Sequence, residues 1–223
     1  MSSIGIHQDE LYSEHNLSIN NWGSSYWYII HNIAMSDCLS KEHILYFFFN
    51  LTYILPCDKC KSKENGYPYY LSVNPINFND LFKWTYDLHN FVNNKTHKLP
   101  FKLSCDEIKH KFRHMSIKYD LYVVFLLNLV QIGTKNSNDD NLLKIISNVL
   151  HIVAIAFPRF GKYMSFDKLQ RSCNITCHEI TDMVVHIVYK LKKNNKIVAF
   201  LKDADFNKVE EAKCYNERCA AFS

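Results

Sequence analysis

Apolar residues in the N-terminal half of the chain recur every three to four positions, which predicts amphipathic helices. The first such stripe follows Gly23 and ends near Ser36, with Ser24 or Ser25 in position to cap the helix. Its buried face would consist of Tyr26, Trp27, Ile30, Ile33 and Ala34.

The same spacing continues along the chain and predicts an all-α fold. Further helices are predicted over residues 41–55, 56–69, 80–96 and 105–114, and then over 118–132, 141–157, 165–171, 176–193 and 196–202. Pro56 is expected to open the third helix, because the first helical turn does not need the N–H that proline lacks. Leu71–Asn79 is predicted to be a loop.

These elements divide the chain into four parts. Residues 1–21 are polar and are predicted to be disordered or extended, and residues 22–115 are predicted to form a first helical unit. Residues 116–209 form an additional helical domain after it. Residues 210–223 are predicted to be a mobile tail that carries a cysteine pair.

Composition supports this picture and narrows the class of protein. A hydrophobic fraction of 48% excludes an intrinsically disordered chain, and five Gly with five Pro in 223 residues are few for an all-β protein. The net charge of +4 comes from scattered Lys and Arg. The basic run at residues 190–193 reads as a solvated helix end, so no nucleic-acid partner is predicted.

Neither a secretion signal nor a membrane span is predicted. The chain opens with polar residues rather than a basic and then apolar region. Its most apolar runs, Leu121–Val130 and Ile145–Phe157, are shorter than the roughly 20 residues that a membrane helix needs. We therefore expect an intracellular protein.

Eight cysteines in such a chain are unusual and favour metal or redox chemistry. In the segment Pro56-Cys57-Asp58-Lys59-Cys60, two cysteines three apart would share one helix face and could form a disulfide. The positive end of the helix dipole would lower the cysteine pKa. A CxxC on its own also fits a zinc site, a thioredoxin-like site or chance.

Aromatic and polar residues at helical spacing accompany this cysteine pair. Trp27 and His31 lie one turn apart, as do His89 and Asn93, and Lys95 and Lys98 follow. Each residue alone could be an ordinary core or surface residue. Together, aromatic faces, His and Asn edges and cationic side chains would suit a flavin dinucleotide held between helices.

In order and spacing these motifs resemble the Erv/ALR sulfhydryl oxidases. The family pattern is Gly-x-x-x-Trp-x-x-x-His, Pro-Cys-x-x-Cys and Trp-x-x-x-x-His-Asn-x-Val-Asn with a following lysine. It falls here on Gly23, Trp27, His31; Pro56, Cys57, Cys60; and Trp84, His89, Asn90, Val92, Asn93, Lys98. The resemblance covers about residues 23–113.

The resemblance implies that residues 22–115 form a four-helix bundle with a short fifth helix, with a catalytic Cys57–Cys60 disulfide and an FAD cofactor. Cys60 would lie against the flavin, and Cys57 would be the exposed partner that exchanges with dithiols. Phe112 stands where the family usually has a tryptophan. The implied cofactor-binding set is Gly23, Ser24, Trp27, His31, Cys60, His89, Asn90, Val92, Asn93, Lys95, Lys98 and Phe112.

The implied activity is that of a flavin-linked thiol oxidase, which oxidises protein dithiols and passes the electrons to O2 to give H2O2. A homodimer is implied as well. The second half resembles the extra helical regions of large-DNA-virus members, notably baculoviruses and nudiviruses. A role in disulfide formation of viral proteins follows, in the cytoplasm or nucleus of the host cell or in the virion.

The other cysteines have open alternatives. Cys214 and Cys219 could shuttle electrons to the active pair or form a structural bridge. Cys173 and Cys177 favour a local structural bridge over a second shuttle. The family often pairs a cysteine in the fourth helix with one near Cys105, but the first position here is Tyr86. Cys38 and Cys105 are expected to be buried thiols or to bridge each other.

Two other functions compete with the oxidase. Cys57, Cys60, Cys173 and Cys177 could form a four-cysteine zinc module, although that would leave the tryptophans and histidines unexplained. The chain could also be a non-catalytic helical scaffold derived from an oxidase. A thioredoxin-like reductase fits less well, because its CxxC follows a β-strand.

Overall fold

The computed structural model describes residues 22–96, 98–158 and 176–191, apart from the side chains of Val185 and of residues 188–191. Within these ranges the regular structure is helical, as the sequence predicted. The helices are α1 (Trp22–Ala34), α2 (Lys41–Ile54), α3 (Tyr67–Val73), α4 (Leu81–Lys95), α5 (Cys105–His114), α6 (Tyr119–Lys135), α7 (Asp140–Ala156) and α8 (Cys177–Leu191). Two short 3-10 turns cover Lys59–Lys61 and Phe78–Asp80.

Local capping explains where several helices begin. Ser40 caps α2 in a capping box with His43, Asp80 caps α4, and Ser104 caps α5 in a capping box with Glu107. These starts agree with the predicted ones. In α1, however, Ser25 is no cap, because its hydroxyl donates to the Trp22 carbonyl inside the helix.

The helix predicted over residues 56–69 is wrong. Cys57 lies in a loop before the Lys59–Lys61 turn, and α3 begins only at Tyr67. Pro56 breaks the helical hydrogen bonding after Leu55, and Gly66 adopts an extended conformation with φ −90° and ψ −158°. The loop predicted from Leu71 is also shorter, since α3 continues to Val73.

One hydrophobic core runs through both halves of the chain. α1 packs against α4 on one side and most extensively against α6 on another, while α2 packs against α7. The rings of Tyr26 in α1 and Phe125 in α6 meet edge to face at 4.9 Å. The division at residues 115/116 stays a prediction, and the helices on its two sides share this core.

α8 extends the core beyond α6. It buries Ile180, Val184 and Ile187 and packs against α6. Thr176 and Glu179 form a capping box at its start, close to the predicted 176–193 helix. The predictions for 1–21, 165–171, 196–202 and the 210–223 tail lie outside the described residues.

No single helix in the described ranges has both the length and the apolar character of a membrane span. α5 and α6 reach that length only together, and they are bent by 97° relative to each other.

Candidate active site

Cys57 and Cys60 face each other across a tight turn at the C-terminal end of α2. The backbone N–H of Cys60 donates both to the Cys57 carbonyl at 3.1 Å and to the Cys57 Sγ at 3.3 Å. The two residues are unlinked thiols here. The turn continues with N–H bonds from Lys61 to Asp58 and from Ser62 to Lys59.

This turn lowers the pKa of the Cys57 thiol to about 7. The largest cause is a hydrogen bond from the Cys60 side chain, and the backbone N–H groups of Cys60 and Lys59 add to it. Burial and the Asp58 carboxylate oppose the shift. The low pKa of Cys57 thus comes first from the Cys60 side chain and then from the N–H groups of this tight turn, not from the α-helix N-terminus expected at Pro56.

The exposure of the two cysteines differs from what the resemblance implied. Cys57 is only 6% exposed, whereas Cys60 is half-buried. Cys57 follows the buried Leu55 directly, so its side chain lies against the end of the bundle. The expected exposure of Cys57 is therefore not observed.

Gly66 approaches the cysteine turn closely, which sequence reasoning missed. A Cβ at this position would lie 2.6 Å from the Cys60 carbonyl oxygen and 2.7 Å from the Ser62 carbonyl oxygen. The Gly66 N–H also donates to the Ser62 carbonyl at 2.9 Å. Only a residue without a side chain can close this loop.

A cluster of aromatic rings and histidines lies between α1 and α4. The Trp27 and His89 rings stack with their centroids 3.8 Å apart and 8° between their planes. Nε2 of His31 lies 3.1 Å from Nδ1 of His89, so the two imidazoles are hydrogen-bonded. Phe112 closes the cluster, with its ring 5.0 Å from that of His31.

Both histidines are neutral at neutral pH. Burial lowers the pKa of His31 to about 3. The pKa of His89 also falls well below its usual value, through burial first and then through the charges of His31 and Lys98. A neutral imidazole has one donor and one acceptor, and His31 uses both within the protein, so His89 is the ring with a nitrogen left for the edge of a neutral ligand ring.

Two residues that sequence reasoning missed complete this cluster. The Thr85 hydroxyl lies 3.1 Å from Nδ1 of His31, and the Phe101 ring meets the His89 ring at 4.5 Å. Thr85 lies four residues before His89 and therefore on the same face of α4. That spacing is the one signal in the sequence that could have indicated it.

The end of α4 carries the remaining polar candidates. Oδ1 of Asn90 accepts the Phe101 N–H at 3.0 Å, and the Asn93 carbonyl accepts the Lys98 N–H at 2.8 Å. These bonds fold the segment after α4 back along the helix. Lys95 and Lys98 are exposed there, and the Lys95 ammonium lies 5.6 Å from the Phe91 ring centroid.

The structure thus brings together part of the predicted cofactor set. Trp27, His31, His89 and Phe112 form one cluster, and Lys98 is near enough to affect the pKa of His89. Gly23, Ser24, Val92 and Asn93 are half-buried on α1 and α4. Trp84 instead packs against α2 and α3, and its indole N–H donates to the Asn74 carbonyl at 3.0 Å.

The cluster fits a planar, anionic dinucleotide in its chemistry. Trp27 and His89 are in direct contact, so a ring would stack on an outer face or separate the two. Lys95 and Lys98 can neutralise phosphates. Phe112 also lines a cavity of about 250 Å³ together with Tyr28, Asn32, Met115, Ile117, Ala156, Phe157 and Pro158.

Cys38 and Cys105 do not bridge each other, which was the open alternative to buried thiols. Cys38 and Cys105 are free thiols, and Cys38 is exposed rather than buried. Cys177 lies 3.4 Å from the Thr134 hydroxyl. Cys173, Cys214 and Cys219 fall outside the described residues, and the residues that are described contain no group of three metal-binding side chains.

Two viral proteins are similar to this chain. One is the FAD-linked sulfhydryl oxidase of African swine fever virus (isolate Warthog/Namibia/Wart80/1980), 33% identical over 86 residues, which are 35% of this chain and 70% of that protein. The other is named "Probable FAD-linked sulfhydryl oxidase R368" of Acanthamoeba polyphaga mimivirus, 35% identical over 91 residues, or 37% of this chain. The match spans 63% of the second relative, just under two thirds.

No family model and no solved structure matches the chain. The similarity to the first viral protein nevertheless extends over most of that protein's length. The helical fold and the Trp27, His31 and His89 cluster agree with the motifs by which the sequence resembles this group. The chain belongs to the Erv/ALR family of FAD-linked sulfhydryl oxidases.

Proposed function

We propose that this chain binds FAD and oxidises protein dithiols at the Cys57–Cys60 pair, with O2 as the final electron acceptor. The observation that carries the proposal is the acidic Cys57 thiol, held by Cys60 at the end of a bundle that also contains the neutral His31–His89 pair. The names of the two viral relatives support it.

The reaction balances as a two-electron oxidation. A substrate thiolate attacks one sulfur of the oxidised pair and breaks its S–S bond, forming a mixed disulfide. The second substrate thiol displaces the enzyme sulfur, which leaves Cys57 and Cys60 reduced. Cys57 and Cys60 then form their S–S bond again and give up two electrons and two protons, which finally reduce O2 to H2O2.

The two cysteines have different roles in this proposal. Cys57 exchanges with the substrate, and its lowered pKa makes it a good leaving group when the mixed disulfide resolves. Its 6% exposure requires the Lys59–Lys61 turn to move when a dithiol docks. When a peptide disulfide is added, the Cys57 thiolate of Cys60→Ser should attack it and displace one peptide thiolate, so that a mixed disulfide is trapped at Cys57. Trapping only in Cys57→Ser would reverse the roles.

FAD, when bound, supplies the two-electron acceptor between the cysteine pair and O2. Trp27 and His89 offer aromatic faces, while Lys95 and Lys98 offer positive charge. The full proposed set is Gly23, Ser24, Trp27, His31, Cys60, His89, Asn90, Val92, Asn93, Lys95, Lys98 and Phe112.

The proposal extends to the surroundings of the enzyme. We propose a homodimer and electron delivery to the active pair by a shuttle made of Cys214 and Cys219. Because both relatives are viral proteins, we also propose disulfide formation in viral proteins inside the host cell or the virion.

The visible spectrum of the purified chain tests the central claim. We expect a flavin absorption band that bleaches on anaerobic addition of dithiothreitol and returns with O2. Cys57→Ser and Cys60→Ser should abolish the bleaching, while the matched control Cys38→Ser, an exposed free thiol, should keep it.

Other spectra would identify the alternatives. A bound flavin that dithiols do not bleach would indicate a non-catalytic scaffold. A colourless protein with stoichiometric zinc would indicate the zinc module and exclude the oxidase.

A further inference from the structure

Three buried side chains form a continuous polar chain through the middle of the bundle. Thr85 and His31 are 0% exposed and His89 is 3% exposed. The Thr85 hydroxyl lies 3.1 Å from Nδ1 of His31, and Nε2 of His31 lies 3.1 Å from Nδ1 of His89. The two imidazole centroids are 5.4 Å apart with 28° between the ring planes, so the rings meet edge to edge.

The hydrogen bonds of Thr85 determine which groups donate and which accept along this polar chain of side chains. Its hydroxyl donates to the Phe82 carbonyl at 2.8 Å, and a hydroxyl has only one hydrogen to donate. Thr85 must then accept from His31, which places the proton of His31 on Nδ1. The reverse direction, with Thr85 donating to His31, would give up the bond to Phe82 and make one hydrogen bond fewer.

The protonation of His31 in turn determines the hydrogen bond between His31 and His89. A neutral imidazole with its proton on Nδ1 has an unprotonated Nε2, so Nε2 of His31 accepts from Nδ1–H of His89. Burial keeps both rings neutral, as the low pKa of each shows. His89 therefore also carries its proton on Nδ1, and its Nε2 is left as an acceptor.

Nε2 of His89 is the last atom in this series of hydrogen-bonded side chains. Within residues 22–96 and 98–158, no protein group hydrogen-bonds to Nε2 of His89. The ring that carries it is stacked on Trp27, at the site assigned above to FAD, and lies near the charge of Lys98. Nε2 of His89 is not among the enclosed atoms that lack a partner, so a ligand that donates a hydrogen bond can reach it.

We propose that Thr85 is a positioning residue of the cofactor site, because its hydroxyl orients the His31–His89 chain so that His89 presents an unprotonated Nε2 to a donor group of FAD. The adenine amino group, the flavin N3–H and the sugar hydroxyls are donors of this class. The identity of the ligand as FAD rests on the proposed function. The protonation pattern of His31 and His89 rests on the hydrogen bonds of Thr85 alone.

The test begins with the full-length, flavin-free protein labelled with 15N in its histidines. Long-range 15N–1H spectra distinguish a protonated ring nitrogen from an unprotonated one. We expect both His31 and His89 to carry the proton on Nδ1, the less common form of free neutral histidine. A proton on Nε2 of His89 would overturn the proposal.

Substitution of Thr85 then tests its role. Thr85→Val keeps the shape but removes the acceptor, so we expect both protons to move to Nε2 and the affinity for FAD to fall about tenfold. Thr85→Ser should restore the wild-type spectrum and affinity. The matched control Thr134→Val removes a hydroxyl that bonds to the Val130 carbonyl on α6, and it should change neither readout.

The remaining outcomes are also decisive. Unchanged spectra and FAD affinity in Thr85→Val would show that Thr85 does not orient the histidines. If that variant does not fold, the spectra of the wild type and of Thr85→Ser decide the orientation. If the full-length chain takes up no FAD, the proposed function and the ligand fail together, while the flavin-free spectra separately show whether Thr85 sets the tautomer.

Discussion

Gly66 controls the geometry of the cysteine turn although it carries no reactive group. The loop after Cys60 closes through this residue, whose backbone sits against the carbonyl oxygens of Cys60 and Ser62. A contact at 2.6 Å from a Cβ to a backbone oxygen cannot be relieved by a side-chain rotation. A side chain at this position must therefore move the turn itself.

Gly66→Ala is expected to raise the pKa of the Cys57 thiol from about 7 towards its ordinary value of 9.0, because the displaced turn moves the Cys60 side chain and the Cys60 N–H away from Sγ. The pH dependence of Cys57 alkylation in the reduced protein measures this. Asn65→Ala, at the exposed neighbouring position, is the control and should leave the midpoint unchanged. The same midpoint in both variants would contradict a role for Gly66.

Tyr86 occupies the position where the family often has a disulfide cysteine, and it forms a different link between the same parts of the chain. Its hydroxyl donates to the Leu103 carbonyl at 2.9 Å, and its ring stacks on Phe101 at 5.3 Å. The segment before α5 is thus held to α4 without a covalent bond. Cys105 remains a free, half-buried thiol.

Tyr86→Phe should lower the free energy of unfolding by about 1 kcal/mol, since it removes the hydrogen bond and keeps the ring contact. For a chain of this length that corresponds to a decrease of about 2–4 °C in Tm. Tyr69→Phe, whose side chain is 39% exposed, is the matched control. Equal Tm values for the two variants would show that the Tyr86 hydroxyl contributes nothing.

At the scale of elements, α6 completes the packing of α1. α1 has buried residues on the side facing α4 and on the side facing α6. α6 in turn is buried almost throughout, including Phe125 at 0% exposure. A helix that is apolar on nearly all its faces belongs in the middle of a core rather than at its edge.

Phe125→Ala is expected to destabilise the whole protein by about 3–5 kcal/mol, because it leaves a cavity against Tyr26 in α1. Chemical denaturation followed by circular dichroism measures the loss. Phe49→Ala, at a position 55% exposed on α2, should change stability by less than about 0.5 kcal/mol. A loss confined to α6–α8, with residues 22–115 unfolding as before, would instead support two separate domains.

For the molecule as a whole, the buried histidine pair makes stability depend on pH. Unfolded histidines take up a proton near pH 6.5, whereas folded His31 does so only near pH 3 and His89 also far below 6.5. Between these values the unfolded chain binds more protons than the folded one. Stability is therefore complete above pH 6.5 and falls as the pH decreases towards 3.

The expected slope is about 1.4 kcal/mol per pH unit for each of the two histidines. Denaturation midpoints measured between pH 7 and pH 4 give it directly. Substitution of the exposed His110 by Asn should leave the slope unchanged, whereas His31→Asn should reduce it. A wild-type stability that does not change over this range would mean that both His31 and His89 take up a proton in the folded state as readily as in the unfolded chain.

The sequence alone was sufficient for the helical class and for most helix limits. The side chains of Ser40, Asp80 and Ser104 each accept a hydrogen bond from an N–H three residues later, so local spacing determines where α2, α4 and α5 begin. The order and spacing of the Trp, His and Cys motifs likewise depend only on the chain, and they were enough to indicate the family.

Tertiary packing decided what local spacing could not. Gly66 lies six residues from Cys60 in the chain, yet its backbone comes so near the Cys60 carbonyl that a Cβ would have no room there, whereas the sequence had predicted a continuous helix after Pro56. Burial and the bonding of Thr85 determine which nitrogens of His31 and His89 are protonated. These properties depend on atoms that folding brings together. The spacing of residues along a chain does not determine which groups lose their contact with water or how closely two groups approach.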